Sequence, residues 1–281
     1  MAFVQDTSSG CPFVEHSKVR GLFVDVQPPC QHIGIAAVGV HRGVRAIRDG
    51  VAQRDDRRTV FAFGTNGHTL DEAGSDLRLR GVDPRMDQLS DLNITNESDH
   101  LHLHPDIHYV FIPFDHSAYT PVESTRSKLR IIHSPTNRNF KGTELILPVI
   151  ERLKNIRSIE FILAEAMEHQ ELIRLKATCD IAIEQIGNLG GTGYGVNSLE
   201  TLALGIPTVT EMTPDYVAWL PENPFVLATK DTLLDCLVDL IDHPYIRKQY
   251  SLDGRRWVEQ YHSYEAVYAR LLHLYHEHAI L

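Results

Sequence analysis

Arg138 and Lys141 lie three residues apart in the segment NRNFKG, between an apolar run and a stretch with helical spacing. Cations beside the start of a helix suit a diphosphate, because fixed charge and free backbone N–H groups then point at one anion. A solvated loop with two ordinary surface charges is the plain alternative. A second such place is GGTGYGV (Gly190–Val196), also ahead of a helical stretch. Glycines let several N–H groups converge on a phosphate at close range, although a flexible turn has the same composition. The third feature is Glu200, set among Val196, Leu199, Leu202 and Ala203. A carboxylate in a mostly apolar helix needs a partner. The two hydroxyls of a ribose can supply one, and so can a structural ion pair. Together these features describe one polyvalent site for a nucleoside diphosphate.

The elements that must position them alternate. From Leu129 onward, LRIIHS, IEFILA, DIAIEQ, IPTVT and FVLA read as strands. TELILPVIERLKN, HQELIRLKA and GVNSLETLALG read as helices, the first interrupted by Pro148 and the last ended by Gly205. After Lys230 the chain is helical to its end. Strands alternating with helices at this spacing predict βαβ units and a parallel sheet, with ligands at the carboxyl ends of the strands. Before residue 113 the pattern is weaker: an apolar run at Leu22–Val26, a helical stretch at Ile35–Val51, and strands at Thr59–Gly64 and Tyr109–Pro113. The polar span Thr65–His108 has no assignable period, and FDHSAYTPVESTRSK reads as a linker.

The composition narrows the classes. With 281 residues, 43% hydrophobic and 23% charged, the chain is neither fibrous nor wholly disordered. A net charge of −10 argues against a general nucleic-acid binder, and means that an anionic ligand needs a local positive cluster. Cys11, Cys30, Cys179 and Cys236 form no CxxC pair and read as free thiols. The first residues lack a basic, apolar leader, and IGIAAVGV is far short of the roughly 18 residues of a membrane span. The expectation is a cytoplasmic protein.

The block GYGVNSLETLALGIPTV (Gly193–Val209) resembles the signature GFGxxxxEAMAxGxPVV of retaining nucleotide-sugar glycosyltransferases of the GT-B fold. Gly193, Gly195, Glu200, Ala203, Gly205 and Pro207 match at the expected spacing. RIIHSPTNRNFKG is similar to the family's first strand and phosphate loop, IPFDHSAYTP to its interdomain segment and WVEQYHSYEAVYARLLHLY to its closing helix. The resemblance implies an α/β, GT-B-like architecture. A reduced N-terminal α/β domain would span residues 1–112, a linker 113–128, and a Rossmann-like nucleotide-sugar domain 129–281.

It further implies a metal-independent, hexosyltransferase-like enzyme without a cofactor, in glycan or cell-envelope polysaccharide synthesis. Its partners would be a nucleotide-sugar donor and a glycan, lipid-linked or small-molecule acceptor, with peripheral membrane contact possible. Lys141 matches the lysine on the donor diphosphate, Glu200 the glutamate on the donor ribose. Gly193, Tyr194, Gly195, Val196 and Asn197 match the loop whose amides face the phosphates and the sugar. Arg138, Lys141 and Glu200 are the implied catalytic set, and Lys141→Ala is expected to abolish transfer while leaving the fold intact. Three departures stand beside these matches. The family's arginine lies further ahead of the lysine, near Pro135 here. Its first glutamate, eight positions before the second, is replaced by Thr192. Its N-terminal domain is longer and often carries a histidine near the reacting carbon; QPPCQHIGIAAVGVHRGVRAIRDG resembles a degenerate form of that domain's glycine-rich loop and first helix, which would put His32 or His41 near the cleft.

Three other readings compete. A non-catalytic sugar-nucleotide binder fits the short N-terminal half and Thr192. A nicotinamide-dinucleotide oxidoreductase would use Glu211, about 20 residues past the glycines, as its ribose acid. HLHLHPDIH offers His100, His102, His104 and His108, with Asp106 and Asp115 nearby, for a metal. Tyr264, Val267, Leu271 and Tyr275 form a helical stripe read as core. Trp219 and Trp257 read as packing anchors, and base contacts are expected around Leu163–Met167.

Overall fold

The computed structural model describes residues 60–63, 90–96, 101, 106–121, 126, 128–187 and 193–281. The expectations for Leu22–Val26, Ile35–Val51, His32, His41, His100, His102, His104, Gly190 and Thr192 lie outside the described residues.

Two parallel sheets stand on either side of residues 113–128. The first has three strands in sequence order, β1 (Val60–Phe63), β2 (Leu92–Thr95) and β3 (Ile107–Tyr109). β2 lies inside the span whose polar residues hid it. β3 ends earlier than the expected strand Tyr109–Pro113. Val110 still donates its N–H to the Thr95 carbonyl, after which Phe111 and Ile112 turn away to pack beside Trp257 and Tyr261.

The second sheet contains β4 (Leu129–His133), β5 (Ile159–Leu163), β6 (Ile181–Gln185), β7 (Thr208–Thr210) and β8 (Val226–Leu227), ordered β5-β4-β6-β7-β8 and parallel throughout. Between the strands run α1 (Arg138–Lys141), α2 (Thr143–Ile156), α3 (His169–Lys176), α4 (Val196–Ala203) and α5 (Pro214–Trp219). The segment expected as a loop thus holds one helical turn, α1, because the Asn137 side chain accepts from the N–H groups of Asn139 and Phe140. α2 runs through Pro148 without ending. α5 starts with Thr213 as cap and Pro214 in the first turn, a helix-start pattern. Three helices follow, α6 (Leu233–Asp242), α7 (Pro244–Trp257) and α8 (Tyr264–Glu277), with a π-turn at Val258–His262 between the last two.

Apolar residues of β4, β6 and β7 pack with α2 and α6 through Ile131, Ile150, Leu153, Ile183, Val209 and Leu237, all essentially without solvent contact. α8 closes back on the first sheet, where Val267, Leu274 and Tyr275 meet Leu92, Ile94 and Val110. Tyr264, expected in that stripe, is exposed because it opens the helix away from the packed face.

Candidate nucleotide site at the sheet switch point

The chain begins the second sheet with β4, adds β5 on one side and returns to place β6 on the other. The connections therefore diverge between β4 and β6, and the crevice beyond their carboxyl ends is where such sheets bind ligands. The loop after β4 and the loop after β6 both open there.

The first loop is pinned by close backbone approach. Gly142 has φ +66°, and a Cβ on it would fall 1.8 Å from the Ile186 carbonyl oxygen, so only glycine fits. The Ile186 N–H donates to the Lys141 carbonyl (3.3 Å), tying this loop to the end of β6. Below it, buried His133 donates from Nδ1 to the Ile183 carbonyl (2.8 Å) and accepts from the Thr143 hydroxyl at Nε2 (2.9 Å). Burial lowers the His133 pKa, against the pull of that carbonyl, which holds the ring neutral.

The second loop delivers the glycines. Gly193 has φ +111° and packs against Met212, while Thr210 donates its hydroxyl to the Gly193 carbonyl (2.5 Å). Gly195 caps α4 with no side chain, and a Cβ there would meet nothing within 4 Å. The Ser198 and Leu199 N–H groups donate to the Gly195 carbonyl (2.9 and 3.1 Å), which leaves the Val196 and Asn197 amides at the start of α4 without a side-chain cap among the described residues. Tyr194 turns its ring the other way, into Trp257, Phe225 and Tyr216, and burial raises its pKa well above the phenol range. Only the backbone of Tyr194 is left for the loop's expected role.

The polar side chains form one connected seam. Lys141 Nζ donates to Glu184 Oε1 (2.5 Å) and Gln185 Oε1 (3.3 Å). Glu184 is aimed by a bulge: Ile183 pairs with Val209 and Gln185 with Thr210, so Glu184 is the extra residue of β6. Its other oxygen accepts from the Asn197 amide. Asn197 Oδ1 accepts from Ser134 Oγ (2.9 Å) and from Lys176 Nζ (2.5 Å). Lys176 also donates to Glu200 Oε2, and His169 Nε2 lies 2.7 Å from Glu200 Oε1. Arg138 stands apart, half-exposed, 3.4 Å from both Glu144 and Glu165.

Burial alone would push the Glu184 carboxyl up. Lys141, by charge and hydrogen bond, and the Asn197 amide overcome that and hold it below its ordinary value, so it is ionised.

Lys141, Asn197 and Glu200 are thus joined through one seam, while Arg138 is held outside it by Glu144 and Glu165. The sequence reading missed Glu184, Lys176 and His169. It also expected a positive cluster. The structure instead pairs the three cations Arg138, Lys141 and Lys176 with the four carboxylates Glu144, Glu165, Glu184 and Glu200. The partner that Glu200 requires is an ion pair with Lys176. Since buried Glu184 depends on Lys141, the expectation that Lys141→Ala spares the fold is revised: it would leave a buried charge short of its main partner.

The competing residues have other employment. Glu211 accepts from the Gly187 N–H (2.7 Å), a structural bond. His108 pairs with His278 through Nε2 atoms 3.1 Å apart, and Asp115 accepts from Ser117. Among the described residues no three His, Cys, Asp or Glu side chains are placed to hold a metal, and no helix is long and apolar enough to cross a membrane.

No protein-family model matches the chain, and no curated protein sequence does. Solved structures do match in shape. TarM superposes with TM-score 0.57 at 12% identity, over 78% of this chain and 50% of that one. A variant of S. aureus TarM, in complex with fondaparinux, α-GlcNAc-glycerol and UDP, gives 0.55 at 11% identity over the same shares. A glycosyltransferase from Rickettsia africae gives 0.51 at 13%, over 78% of this chain and 70% of that one. The chain spans about half the length of TarM. At these identities the likeness shows the fold, which is α/β and GT-B-like.

Proposed function

We propose that the chain is a glycosyltransferase that takes a sugar from a nucleoside-diphosphate donor and passes it, with retention of configuration, to a glycan, lipid-linked or small-molecule acceptor. The observation that carries this reading is the convergence of the Lys141 loop, the Gly195 helix start and Glu200 at the β4–β6 switch point. The resemblance of Gly193–Val209 to the family signature and the UDP held by the similar TarM variant support it. Residues 1–112 are assigned to the acceptor side and 129–281 to the donor side.

Breaking the sugar–phosphate bond builds negative charge on the leaving diphosphate. The Val196 and Asn197 amides at the start of α4, uncapped by any side chain among the described residues, meet that charge, and Lys141 swings part of its hydrogen bonding from Glu184 to the phosphate. Preorganised donors of this kind favour the transition state over the ground state. Arg138 closes the outer side of the diphosphate, and Glu200 receives the ribose hydroxyls. Neither a metal nor a further cofactor takes part in this reading.

The test is hydrolysis of uridine-, guanosine-, adenosine- and cytidine-diphosphate sugars, followed by proton NMR of the released sugar. Release with the donor's anomeric configuration is expected for at least one donor. Release with the opposite configuration would remove retention. One observation favours a second reading, a sugar-nucleotide binder without turnover: Thr192 stands where the family has a glutamate. That protein would bind a donor and hydrolyse none.

A further inference from the structure

Both oxygens of Glu200 are hydrogen-bonded before any ligand arrives. Its two oxygens are held by residues of very different mobility. Oε2 is held by Lys176, whose side chain is 0% exposed and is fastened a second time to Asn197. Oε1 is held by His169, whose side chain is 58% exposed. His169 is the first residue of α3, and its place is set by the preceding turn. There Ala166 takes φ +52°, unusual for a residue with a Cβ, and the Glu168 carboxylate caps the helix by accepting from the Glu171 N–H (3.0 Å). The imidazole can therefore rotate into solvent without disturbing packed side chains or the helix cap. Lys176 cannot.

We propose that His169 is an internal competitor for the nucleotide: it occupies Glu200 Oε1 and has to yield it before the hydroxyls of a ribose can engage that oxygen. This rests on the nucleotide reading above. The reason is a count of donors. His169 contributes one N–H to Oε1. A sugar offering a single hydroxyl would exchange one bond for one and gain nothing. A ribose offers two adjacent hydroxyls to a carboxylate whose oxygens each accept more than one bond, so the exchange gains a charge-assisted hydrogen bond. His169 thus leaves a stray single donor with nothing to gain and lowers the affinity of the ribonucleotide by the one bond that has to be given up.

The test is isothermal titration of UDP, GDP, ADP and CDP, each beside its 2′,3′-dideoxy form, into the wild-type chain, His169→Ala and His169→Gln. Removing the competitor is expected to tighten the bound ribonucleotide roughly threefold to tenfold in His169→Ala, the usual worth of one such hydrogen bond. The dideoxy form is expected to bind the wild type and His169→Ala equally. His169→Gln keeps an N–H donor for Glu200 and is expected to stay within about twofold of the wild type. Weaker or unchanged ribonucleotide binding in His169→Ala overturns the proposal, and so does equal tightening of the dideoxy form. If no diphosphate binds the wild type or either variant, the nucleotide reading itself fails and the proposal falls with it.

Discussion

Helix α4 has two faces, and they are held in opposite ways. One carries Leu199, Leu202 and Ala203 into an apolar cluster with Trp257, Phe225 and Phe114. The other carries Asn197 and Glu200 into the polar seam with Lys176, Glu184 and Lys141. The apolar face loses stability in proportion to the volume removed, because its contacts are many and weak. The polar face depends on a few bonds, each with a buried charge at one end, so removing one member strands another. A site that must present charges beneath a helix start accepts the second kind of risk, and the first kind keeps the helix in place.

The largest expected effect breaks the polar side. Lys176→Met leaves buried Glu200 with His169 as its one remaining partner among the described residues and should cost about 3–5 kcal/mol in chemical denaturation. Lys176→Met with Glu200→Leu should recover most of that stability, since a buried pair replaced by packed apolar groups is often neutral, while nucleotide binding stays lost. Recovery of binding in the double variant would contradict the role given to Glu200.

The apolar counterpart is Leu202→Ala, fully buried, at about 2–5 kcal/mol. Unlike the polar variant, it should leave the nucleotide affinity of the folded fraction unchanged. Titration calorimetry below the melting range separates the two.

A third effect is set by pH. His262, in the π-turn, donates from Nδ1 to the Ile112 carbonyl (2.7 Å) and packs its ring against Trp257 and Phe111. Burial lowers its pKa to about 4, partly opposed by that carbonyl. The unfolded chain binds the proton near pH 6.5, so the folded state is favoured above that value. About 3 kcal/mol of stability is lost as the pH falls from 6.5 through 4, with no further loss from this group below. Denaturation midpoints over that range check it, and His262→Gln should flatten that share of the slope. The smallest effect is outside both regions. Arg157 and Asp242 pair in solvent, and Arg157→Ala should leave the denaturation midpoint within error.

The legible parts of this molecule are those written locally. The order of strands and helices after Leu129 follows from apolar runs and glycine stops, and Gly193–Pro207 carries its glycines and Glu200 in a short block. The seam was not legible. Lys176 sits in HQELIRLKA, where charged residues are close in sequence and a lysine reads as solvated; its burial arises only when α3 packs beside α4. Glu184 interrupts an apolar strand, a signal that was present, but the bulge that aims it depends on pairing with β7, more than 20 residues on. β2 is four residues long among polar neighbours, and its partner β1 is distant in sequence, so no local period marks it. The early end of β3 depends on Phe111 and Ile112 finding Trp257 and Tyr261, near the other end of the chain.

In the proposed reading, Lys141 and the start of α4 hold a nucleoside diphosphate at the β4–β6 switch point. The most direct measurement is calorimetric titration of the four nucleoside diphosphates into the wild-type chain and into Lys141→Met combined with Glu184→Gln. That double variant removes the buried pair as a unit and keeps an acceptor for Asn197. Saturable binding of at least one diphosphate is expected, weakened roughly tenfold or more in the double variant, as befits the loss of a charge-assisted bond. No binding by the wild type, or equal binding by both proteins, would contradict it.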